Sequence, residues 1–573
     1  MAENDFRLEE RLTAWHIGIA LGALFLGSWF GPLQVLEHIG IDLYGKLAPG
    51  IKSYYQGLSL HGVLNALVWT TFFITGFLTF CAVHSLKMKL RYPWVNILGL
   101  VLMVAGLLMA AAPLLLNAAT VLYTFYPPLK ANPFFYIGLT LVVVGSWLTG
   151  FGLYFTLAGW RKAHPGARTP LIAFGSVLTM VMWQIASLGI AAEMLFLLIP
   201  WSLGMVQGTD PLLARTLFWF TGHPIVYFWL LPAYVSWYGM LPKQAGGTLF
   251  SDPLARLAFW LFLVLSIPVG LHHQFTDPGI SPTWKALHAI LTYAVTFPSL
   301  LTAFTVIASL ELGGRARGGK GLFGWIRKLP WKDPSFSGGR ARGGKGLFGW
   351  IRKLPWKDPS FSAQAVAMLI FALGGVGGII NASYSVNLVV HNTLWIVGHF
   401  HLTLGTAVTL SFIGITYWLV PRLAGKELWS LRAARIQVWL WLIGMLPFSL
   451  SHHFLGLRFG VPRRTMLGAS PYLSPEWSPL LILAALGGLL LWASLLLYFF
   501  VVVGTVFGSR KLAQPAEMPV AEALRDARET PAWLDSWRPW LVATIILILL
   551  SYGPPLIDLV RSADLSSPGL RVW

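Results

Sequence analysis

The chain has 573 residues, of which 56% are hydrophobic and only 11% are charged. A soluble domain carries roughly 25% charged residues, so this composition excludes an ordinary soluble protein and indicates a chain that folds in a lipid bilayer. The net charge of +19 does not indicate nucleic-acid binding, because membrane topology and attraction to anionic membrane lipid account for most of it.

Long apolar stretches recur along the whole chain and predict an all-α polytopic membrane protein. Many of them, with their flanks, approach or exceed the roughly 20 residues that a helix needs to cross hydrocarbon. Thirteen transmembrane helices are predicted, centred near residues 24, 72, 104, 146, 186, 226, 266, 298, 372, 406, 444, 490 and 550. Residues 1–573 are therefore assigned to a single transmembrane domain.

The basic residues predict how the chain is oriented, because inner loops of membrane proteins are enriched in lysine and arginine. If the N-terminus lies on the cytoplasmic side, inner segments hold 31 of the 41 basic residues. Thirteen crossings then place the C-terminus outside. The polar residues 1–11 do not predict a cleaved signal peptide.

Spacings among the histidines carry most of the chemical signal. An ionisable side chain at membrane depth is costly and by default marks a functional site. Any single histidine could simply satisfy a neighbouring helix, but six lie within or at the ends of predicted membrane helices. These six are His61, His223, His272, His273, His399 and His401. No metal is assigned to His16, His38, His84, His164 or His288. The doublet His452–His453 has nothing around it that completes a site, so no metal is assigned to it either.

The predicted sixth and seventh helices combine three of these histidines with a tyrosine. His223 and Tyr227 in TGHPIVYFW are four residues apart and share one helix face, and Pro224 should bend the helix there. The doublet His272–His273 in PVGLHHQF could complete a three-imidazole site with His223. Three histidines and an open position suit copper or zinc, and a nearby phenol favours redox chemistry over hydrolysis.

The segment between the predicted eighth and ninth helices contains an unusual internal repeat. Residues 313–337 read GGRARGGKGLFGWIRKLPWKDPSFS, and residues 338–362 repeat them letter for letter. Solenoid repeats are usually imperfect and more numerous, so this is not a repeat architecture. The duplication is predicted to lie in a basic cytoplasmic loop, 313–362, with no role in chemistry.

The predicted tenth helix contains GHFHL, which places His399 and His401 about 200° apart around the helix. Such a pair cannot chelate one ion but can hold two separate cofactors, one on each side. His61 in YYQGLSLHGVLNA could oppose one of them. Two axial histidines would give a six-coordinate, electron-transferring haem, and one would leave an open position for a gas. The single cysteine, Cys81, excludes thiolate-bridged copper and c-type haem attachment in this chain.

Hydroxyl side chains recur at helical spacing in two of the predicted helices. Tyr227, Tyr234 and Tyr238 are seven and four residues apart, and Thr292, Ser299, Thr302 and Thr305 follow at seven, three and three. The two rows could form a proton-conducting chain, or they could merely pack and bond between helices. Glu193, a carboxylate in the fifth helix, could be a relay, but an interhelical hydrogen bond is the favoured interpretation.

These residues lie in long motifs that resemble subunit I of the haem–copper oxidases. The likeness is to the ba-type, B-class cytochrome c oxidases of Thermus-like bacteria, and it covers essentially the whole chain apart from the duplicated loop. The motifs are YYQGLSLHGVLNA, TVLYTFYPPLK, FTGHPIVYFWLLPAY, PVGLHHQF, VVHNTLWIVGHFHL and VPRR.

The resemblance implies the haem–copper oxidase subunit I fold and a role for each site residue. His61 and His401 should be axial ligands of a low-spin haem, of b-type, and His399 the proximal ligand of a high-spin haem, of a-type. His223, His272 and His273 should bind the copper called CuB. Tyr227 should be covalently linked to His223 and donate an electron and a proton. The residues expected near the haem propionates are His391, Arg463 and Arg464.

The resemblance also implies a proton route that differs from the commonest class of these oxidases. That class has a glutamate at the position of Ile225, whereas the B-class uses a chain of hydroxyls from the cytoplasmic side. The matching positions here are Tyr234, Tyr238, Ser251, Thr292, Ser299, Thr302 and Thr305. Asn387 stands where B-class relatives carry an aspartate, and an amide cannot take up a proton there.

The implied function is a terminal respiratory oxidase in the plasma (inner) membrane of the cell. It would reduce dioxygen to water with electrons from cytochrome c, delivered through a subunit II that carries a dinuclear copper centre, and couple this to proton uptake and pumping. Two alternatives remain at this point. A nitric oxide reductase would share the haem ligands but lack the tyrosine, and a proton-coupled transporter should show two related halves.

Overall fold

Membrane-length helices make up most of the computed structural model, which describes residues 5–47, 50–321, 348–471, 473–514 and 516–572. Eleven helices are long and apolar enough to cross a membrane in this part of the chain. They are α1 (Arg7–His38), α2 (Tyr54–Leu86), α3 (Pro93–Leu115), α4 (Pro133–Ala163), α5 (Leu171–Ser202), α8 (Pro282–Ala316), α9 (Pro359–Ala382), α10 (Leu394–Ala424), α11 (Leu431–Phe459), α12 (Pro475–Gly508) and α13 (Trp537–Arg561).

Two further helices occupy the remaining predicted positions. Helix α6 is in two parts, Pro211–Gly222 and Pro224–Gly239, and α7 spans Asp252–Ser266. The prediction of an all-α membrane protein is confirmed, and each of the thirteen predicted centres coincides with a helix or its end. Within the described ranges, β-structure is limited to five isolated bridges.

Several helices begin with a capping side chain followed by proline. The side chains of Asn132, Asp210, Ser281 and Asp358 each accept a hydrogen bond from a backbone N–H in the first turn of the helix that follows. In each case proline occupies the first helical position, where its missing N–H is not needed. Local sequence therefore sets where α4, α6, α8 and α9 begin.

Four of the described helices carry a π-helical segment, and in three of them the segment adjoins a histidine or a carboxylate. In α2 it spans Val63–Val68, just after His61, and in α10 it spans Thr403–Val408, just after His401. The third, Glu193–Leu198 in α5, begins at a buried carboxylate. Because π-helical turns widen the helix and occur often at functional sites, the two histidine segments single out the centre of the bundle.

The described parts of the duplicated loop together spell one copy of the repeat. They are residues 313–321 of the first copy and residues 348–362 of the second. Joined end to end, these two parts give the whole repeat except for its tenth residue, a leucine. The backbone N–H of Trp350 donates to the carbonyl of Lys320 at 2.9 Å, so the two parts meet. Residues 322–347, which contain the rest of the duplication, lie outside the described residues.

Deletion of residues 322–346 should therefore leave a normally folded protein, because it restores one complete copy of the repeat. Loop-closure entropy varies slowly with loop length, so the free energy of unfolding should change by less than about 1 kcal/mol. Thermal unfolding of the deletion variant and the parent in the same detergent measures this. Failure of the shortened chain to accumulate in membranes would show that the second copy is required.

Candidate metal and cofactor centre

Two neighbouring cavities in the middle of the bundle contain all six of the singled-out histidines. The first has a volume of about 240 Å³ and is lined by His61 and His401. The second, of about 690 Å³, is lined by His223, His272, His273 and His399. Helix α10 separates them, since His399 faces one cavity and His401 the other, as the two-residue spacing predicts. Residues that line both cavities are Tyr123, Ile396, Phe400, Leu404, Arg463 and Arg464.

The two histidines of the first cavity are both held through the same ring nitrogen. His61 Nδ1 donates to the carbonyl of Gly27 at 3.0 Å, and His401 Nδ1 donates to the carbonyl of Val397 at 2.9 Å. A backbone carbonyl can only accept, so the bond fixes the tautomer and leaves Nε2 free for a metal. The pair is therefore suited to bind one haem iron from both sides.

His399 in the second cavity is oriented in the same way. Its Nδ1 donates to the carbonyl of Gly374 on α9 at 3.0 Å. A Cβ atom at Gly377 would lie 2.9 Å from that nitrogen, closer than real Cβ contacts allow. The glycines of α9 thus make room for the imidazole, and His399 has Nε2 available for a second iron.

The other three histidines of the second cavity form a group able to bind a metal ion. One ligand nitrogen from each of His223, His272 and His273 lies within 4.8 Å of the others. His223 Nδ1 is 3.2 Å from His273 Nε2, and His272 Nδ1 is hydrogen-bonded to Thr292 Oγ1 at 2.8 Å. Three imidazoles that converge with an open position suit copper or zinc.

Tyr227 lies beside this group, one helical turn after His223. Its hydroxyl is 3.2 Å from His223 Nε2, and the two ring centroids are 5.2 Å apart. The tyrosine occupies the Nε2 side of the imidazole, so Nδ1 is the nitrogen that faces the metal position. The geometry suits the covalent link expected from the resemblance.

The break in α6 explains why these two side chains reach the cavity. His223 lies between the two parts of the helix, and the following proline cannot donate a backbone hydrogen bond to the preceding turn. The ring of Trp219, one turn before His223, stacks on His273 with centroids 3.7 Å apart and planes 9° apart. This tryptophan was not predicted from the sequence, although its position four residues before His223 places it on the same face.

A cationic region that includes Arg463 and Arg464, just after the end of α11, borders both cavities. Burial, and then the neighbouring Arg464, lower the pKa of Arg463 to about 10. Burial and then Arg463 lower the pKa of His391 to about 4. Arg464 has a left-handed backbone, with φ of 59°, and its guanidinium lies 5.2 Å from the ring centroid of Tyr123. Crowded guanidinium groups of this kind are suited to bind carboxylates such as haem propionates.

Hydroxyl residues extend from the second cavity between α6 and α8. Tyr227, Tyr234, Thr292, Ser299 and Thr302 all line the cavity. Tyr238 donates a hydrogen bond to Thr302 Oγ1 at 2.6 Å, which joins the two rows predicted from the sequence.

Two predicted members of the hydroxyl chain are placed differently. Ser251 caps α7 by accepting from the N–H of Leu254, and Thr305 donates to the carbonyl of Leu301 in its own helix. No hydrogen bond among the described residues links either of them to Tyr238 or Thr302.

The structure also places the two other polar residues singled out in the sequence, Glu193 and Asn387. Neither carboxylate oxygen of Glu193 has a hydrogen-bond partner in the described structure, although the side chain is fully buried. The expected interhelical hydrogen bond is therefore wrong, because no donor among the described residues lies within hydrogen-bonding distance of the carboxylate. Asn387 lines the second cavity and donates from Nδ2 to the carbonyl of Asn381 at 2.7 Å.

Comparison with known proteins agrees with this arrangement. Residues 11–490 match the family described as cytochrome c and quinol oxidase polypeptide I. The chain is 44% identical to cytochrome c oxidase subunit 1 of Thermus thermophilus over 99% of this chain and 97% of that one. It is 26% identical to ubiquinol oxidase subunit 1 of Acetobacter aceti, over 84% of this chain and 68% of that one.

A solved structure shows the same fold. It is a cryo-EM structure of a heme-copper terminal oxidase dimer, with a TM-score of 0.87 and 41% sequence identity over 98% of this chain and 94% of that chain. The fold and the paired cavities thus define an integral membrane subunit of a haem–copper terminal oxidase. The chain belongs to the cytochrome c and quinol oxidase polypeptide I family and is the catalytic subunit, which reduces dioxygen to water. The expectations of fold, family and enzyme class are confirmed, and the reductase and transporter alternatives are not supported.

Proposed function

We propose that this chain is a cytochrome c oxidase subunit of the B-class and that its two cavities hold two haems and one copper ion. His61 and His401 bind the low-spin haem, His399 binds the high-spin haem, and the three histidines around Tyr227 bind copper. The observation that supports this most directly is that His399 lines the same cavity as the group formed by His223, His272 and His273. When bound, the metals supply electrons to dioxygen and accept them from a donor.

The chain's own residues position the reaction and supply protons. Tyr227, within 3.2 Å of His223 Nε2, can release a phenolic proton and an electron directly beside the copper position. Arg463 and Arg464, which line both cavities, bind haem carboxylates and hold the two haems in a fixed relation. If a haem on His399 and copper on the three histidines supplied three of the four electrons that dioxygen requires, Tyr227 would supply the fourth within the same cavity.

The difference between the cavities supports different haems in the two positions. The second cavity is larger than the first, about 690 Å³ against about 240 Å³. It must also accommodate copper and dioxygen, and it reaches Leu300 on α8 and Val376 on α9, whose side chains are both more than half exposed. A b-type haem in the first cavity and an a-type haem with a long apolar tail in the second fit this shape.

Protons for the reaction would come from the cytoplasmic side through the hydroxyl residues of α6 and α8. The bond from Tyr238 to Thr302, and the cavity wall shared by Thr302, Ser299, Tyr234 and Tyr227, support this route. Thr292 has a second role, since it also orients His272. Ser251 and Thr305 would belong to the route only through bridging water.

Replacement of Thr302 by valine should slow turnover, because it preserves the shape and removes the hydroxyl that accepts from Tyr238. A positioned proton donor or acceptor contributes about 10²–10⁴-fold, and we expect a loss toward the lower end of that range. Dioxygen uptake, with cofactor content measured in parallel, tests this. Thr79→Val is a matched control, since the Thr79 hydroxyl is equally buried and bonds only to its own helix. Equal rates for the two variants would contradict the route.

Electrons would reach this subunit from cytochrome c through a partner subunit II with a dinuclear copper centre. The relative from Thermus thermophilus is named a cytochrome c oxidase subunit, and the single, buried cysteine here cannot build a thiolate-bridged copper centre. The chain would lie in the plasma membrane with its N-terminus in the cytoplasm and its C-terminus outside, as the basic residues predict. Proton uptake from the inner side, together with pumping, would then build a proton gradient.

The experiment that tests this function is dioxygen uptake by the purified complex with two alternative donors. Reduced cytochrome c should support cyanide-sensitive uptake, whereas a quinol should not. Faster uptake with the quinol would place the protein with the quinol oxidases instead. Reduction of nitric oxide without dioxygen uptake would favour the reductase alternative.

A further inference from the structure

The short segment that holds His272 and His273 is contacted by a helix outside the family match. The segment is a 3₁₀ helix, Gly270–Gln274, at the outer end of α7. The family match ends at residue 490, whereas α13, which spans Trp537–Arg561, packs against α6, α7 and α8. Contacts of α13 reach the backbone of this segment and the residues behind both histidines.

The first of these contacts runs through His288 on α8. Its Nδ1 accepts a hydrogen bond from the backbone N–H of Leu271 at 3.3 Å, directly before His272. On the other side of the ring, Nε2 donates to the carbonyl of Ser551 on α13 at 3.2 Å. His288 is fully buried, and its two ring nitrogens connect α13 to the segment that holds His272 and His273.

The sequence of α13 explains why the Ser551 carbonyl is available. In an α-helix that carbonyl would accept from the N–H four residues later. The residue at that position is Pro555, which has no N–H. The carbonyl therefore lacks its helical partner, and His288 satisfies it.

The same residue also supports His272 through its backbone. The His288 carbonyl accepts from Thr292 Oγ1 at 2.6 Å, and Thr292 Oγ1 in turn accepts from His272 Nδ1 at 2.8 Å. One residue thus holds the backbone before His272 with its side chain and orients the His272 ring through Thr292.

The second contact runs through Tyr552, the next residue of α13. Its hydroxyl lies against the backbone of Gly270 and donates to the carbonyl of Trp219 at 3.4 Å. A Cβ atom at Gly270 would overlap both the Trp219 carbonyl and the Tyr552 hydroxyl, so only glycine fits there. Because Trp219 stacks on His273, this contact supports the second histidine of the pair.

We propose that His288, Ser551 and Tyr552 form a positioning shell through which α13 fixes the orientation of two copper ligands. The inference rests on the proposed function, since it takes His272 and His273 to bind copper. It assigns α13 a role in the metal site and not only in packing against lipid. Its consequence is that removal of these contacts weakens copper binding while both haems stay in place.

Two substitutions in the assembled oxidase test the proposal. His288→Phe keeps an aromatic ring against Tyr552, 4.8 Å away, but removes both hydrogen bonds. Tyr552→Phe removes one hydroxyl only. Residues behind a metal ligand typically contribute 10–100-fold to metal affinity, so competition with a cuprous chelator should show copper held roughly 10–100-fold more weakly in these variants. The matched control is Tyr498→Phe, a buried tyrosine whose hydroxyl bonds with Thr416 away from this site.

A second readout reports ligand geometry directly. Carbon monoxide released by light from the haem can bind copper, and its infrared band should broaden or shift in both variants but not in Tyr498→Phe. Haem content should equal that of the parent in all three. If His288→Phe lowers the haem content, the test rests on the copper affinity and the infrared band of Tyr552→Phe. Parental copper affinity and an unchanged band in both variants would overturn the proposal, whereas a parent without copper would instead overturn the proposed function.

Discussion

The His223→Gln variant should retain both haems but lose the copper of the second cavity and nearly all dioxygen reduction. His223 is the only member of the metal-binding group on α6, and its Nδ1 lies 3.2 Å from His273 Nε2. Without it, two imidazoles from one short segment remain, which cannot surround the ion. Loss of a ligand should cost more than the 10–100-fold typical of residues behind a ligand, so turnover should fall below roughly 1% of the parent.

The measurement is dioxygen uptake together with the reduced-minus-oxidised spectrum and copper analysis of the same sample. His164→Gln is a suitable control, because His164 stacks on Trp160 at the C-terminal end of α4 and bonds to its own helix. Full activity of the His223 variant would show that the three histidines do not bind the catalytic copper. Loss of both haems would show instead that the substitution disrupts the fold.

Tyr227→Phe is expected to give a second large effect with a different pattern. The phenylalanine ring can keep the packing against Phe262, whose centroid is 5.3 Å away, while the hydroxyl beside His223 is lost. Copper and both haems should therefore stay bound. Because the proposed function makes this phenol the proton and electron donor at the site, turnover should fall by about 10²–10⁴-fold.

Carbon monoxide binding tests whether the cofactors stay bound in this variant, and steady-state dioxygen uptake measures the loss of turnover. Tyr154→Phe controls for the loss of a hydrogen-bonded tyrosine hydroxyl elsewhere, since Tyr154 donates to Gln184 at 3.1 Å. A Tyr227 variant with normal turnover would remove the tyrosine from the chemistry. Loss of copper from that variant would indicate a structural role in holding His223.

The sequence predicted how the candidate histidines are placed on α6 and α10, because helical geometry depends only on spacing. Because His399 and His401 are two residues apart on one helix, they face different cavities. Because Tyr227 follows His223 by four residues, the two side chains lie next to each other. The proline after His223 predicted a bend at this point for an equally local reason, and the structure shows that α6 divides there. The assignment of a particular metal to each of these histidines came from the resemblance.

Contacts between distant segments could not be predicted in the same way. The room for His399 depends on how close α9 approaches α10, and the role of His288 depends on a carbonyl of α13 more than 260 residues away. The structure also left Ser251 and Thr305 outside the direct hydrogen-bonded chain, because a serine or threonine can bond to its own helix instead. For Glu193, spacing gave no information on whether a partner would be within reach.

The central claim is that a haem on His399 and a copper ion on the three-histidine group face each other in one cavity. Infrared spectroscopy of the reduced, carbon monoxide-bound complex at low temperature tests this most directly. Light should move the carbon monoxide from haem iron to copper, so that the iron-bound band is replaced by a band typical of carbon monoxide on cuprous copper. Direct return to the haem, or escape to solvent without a copper-bound band, would contradict the claim.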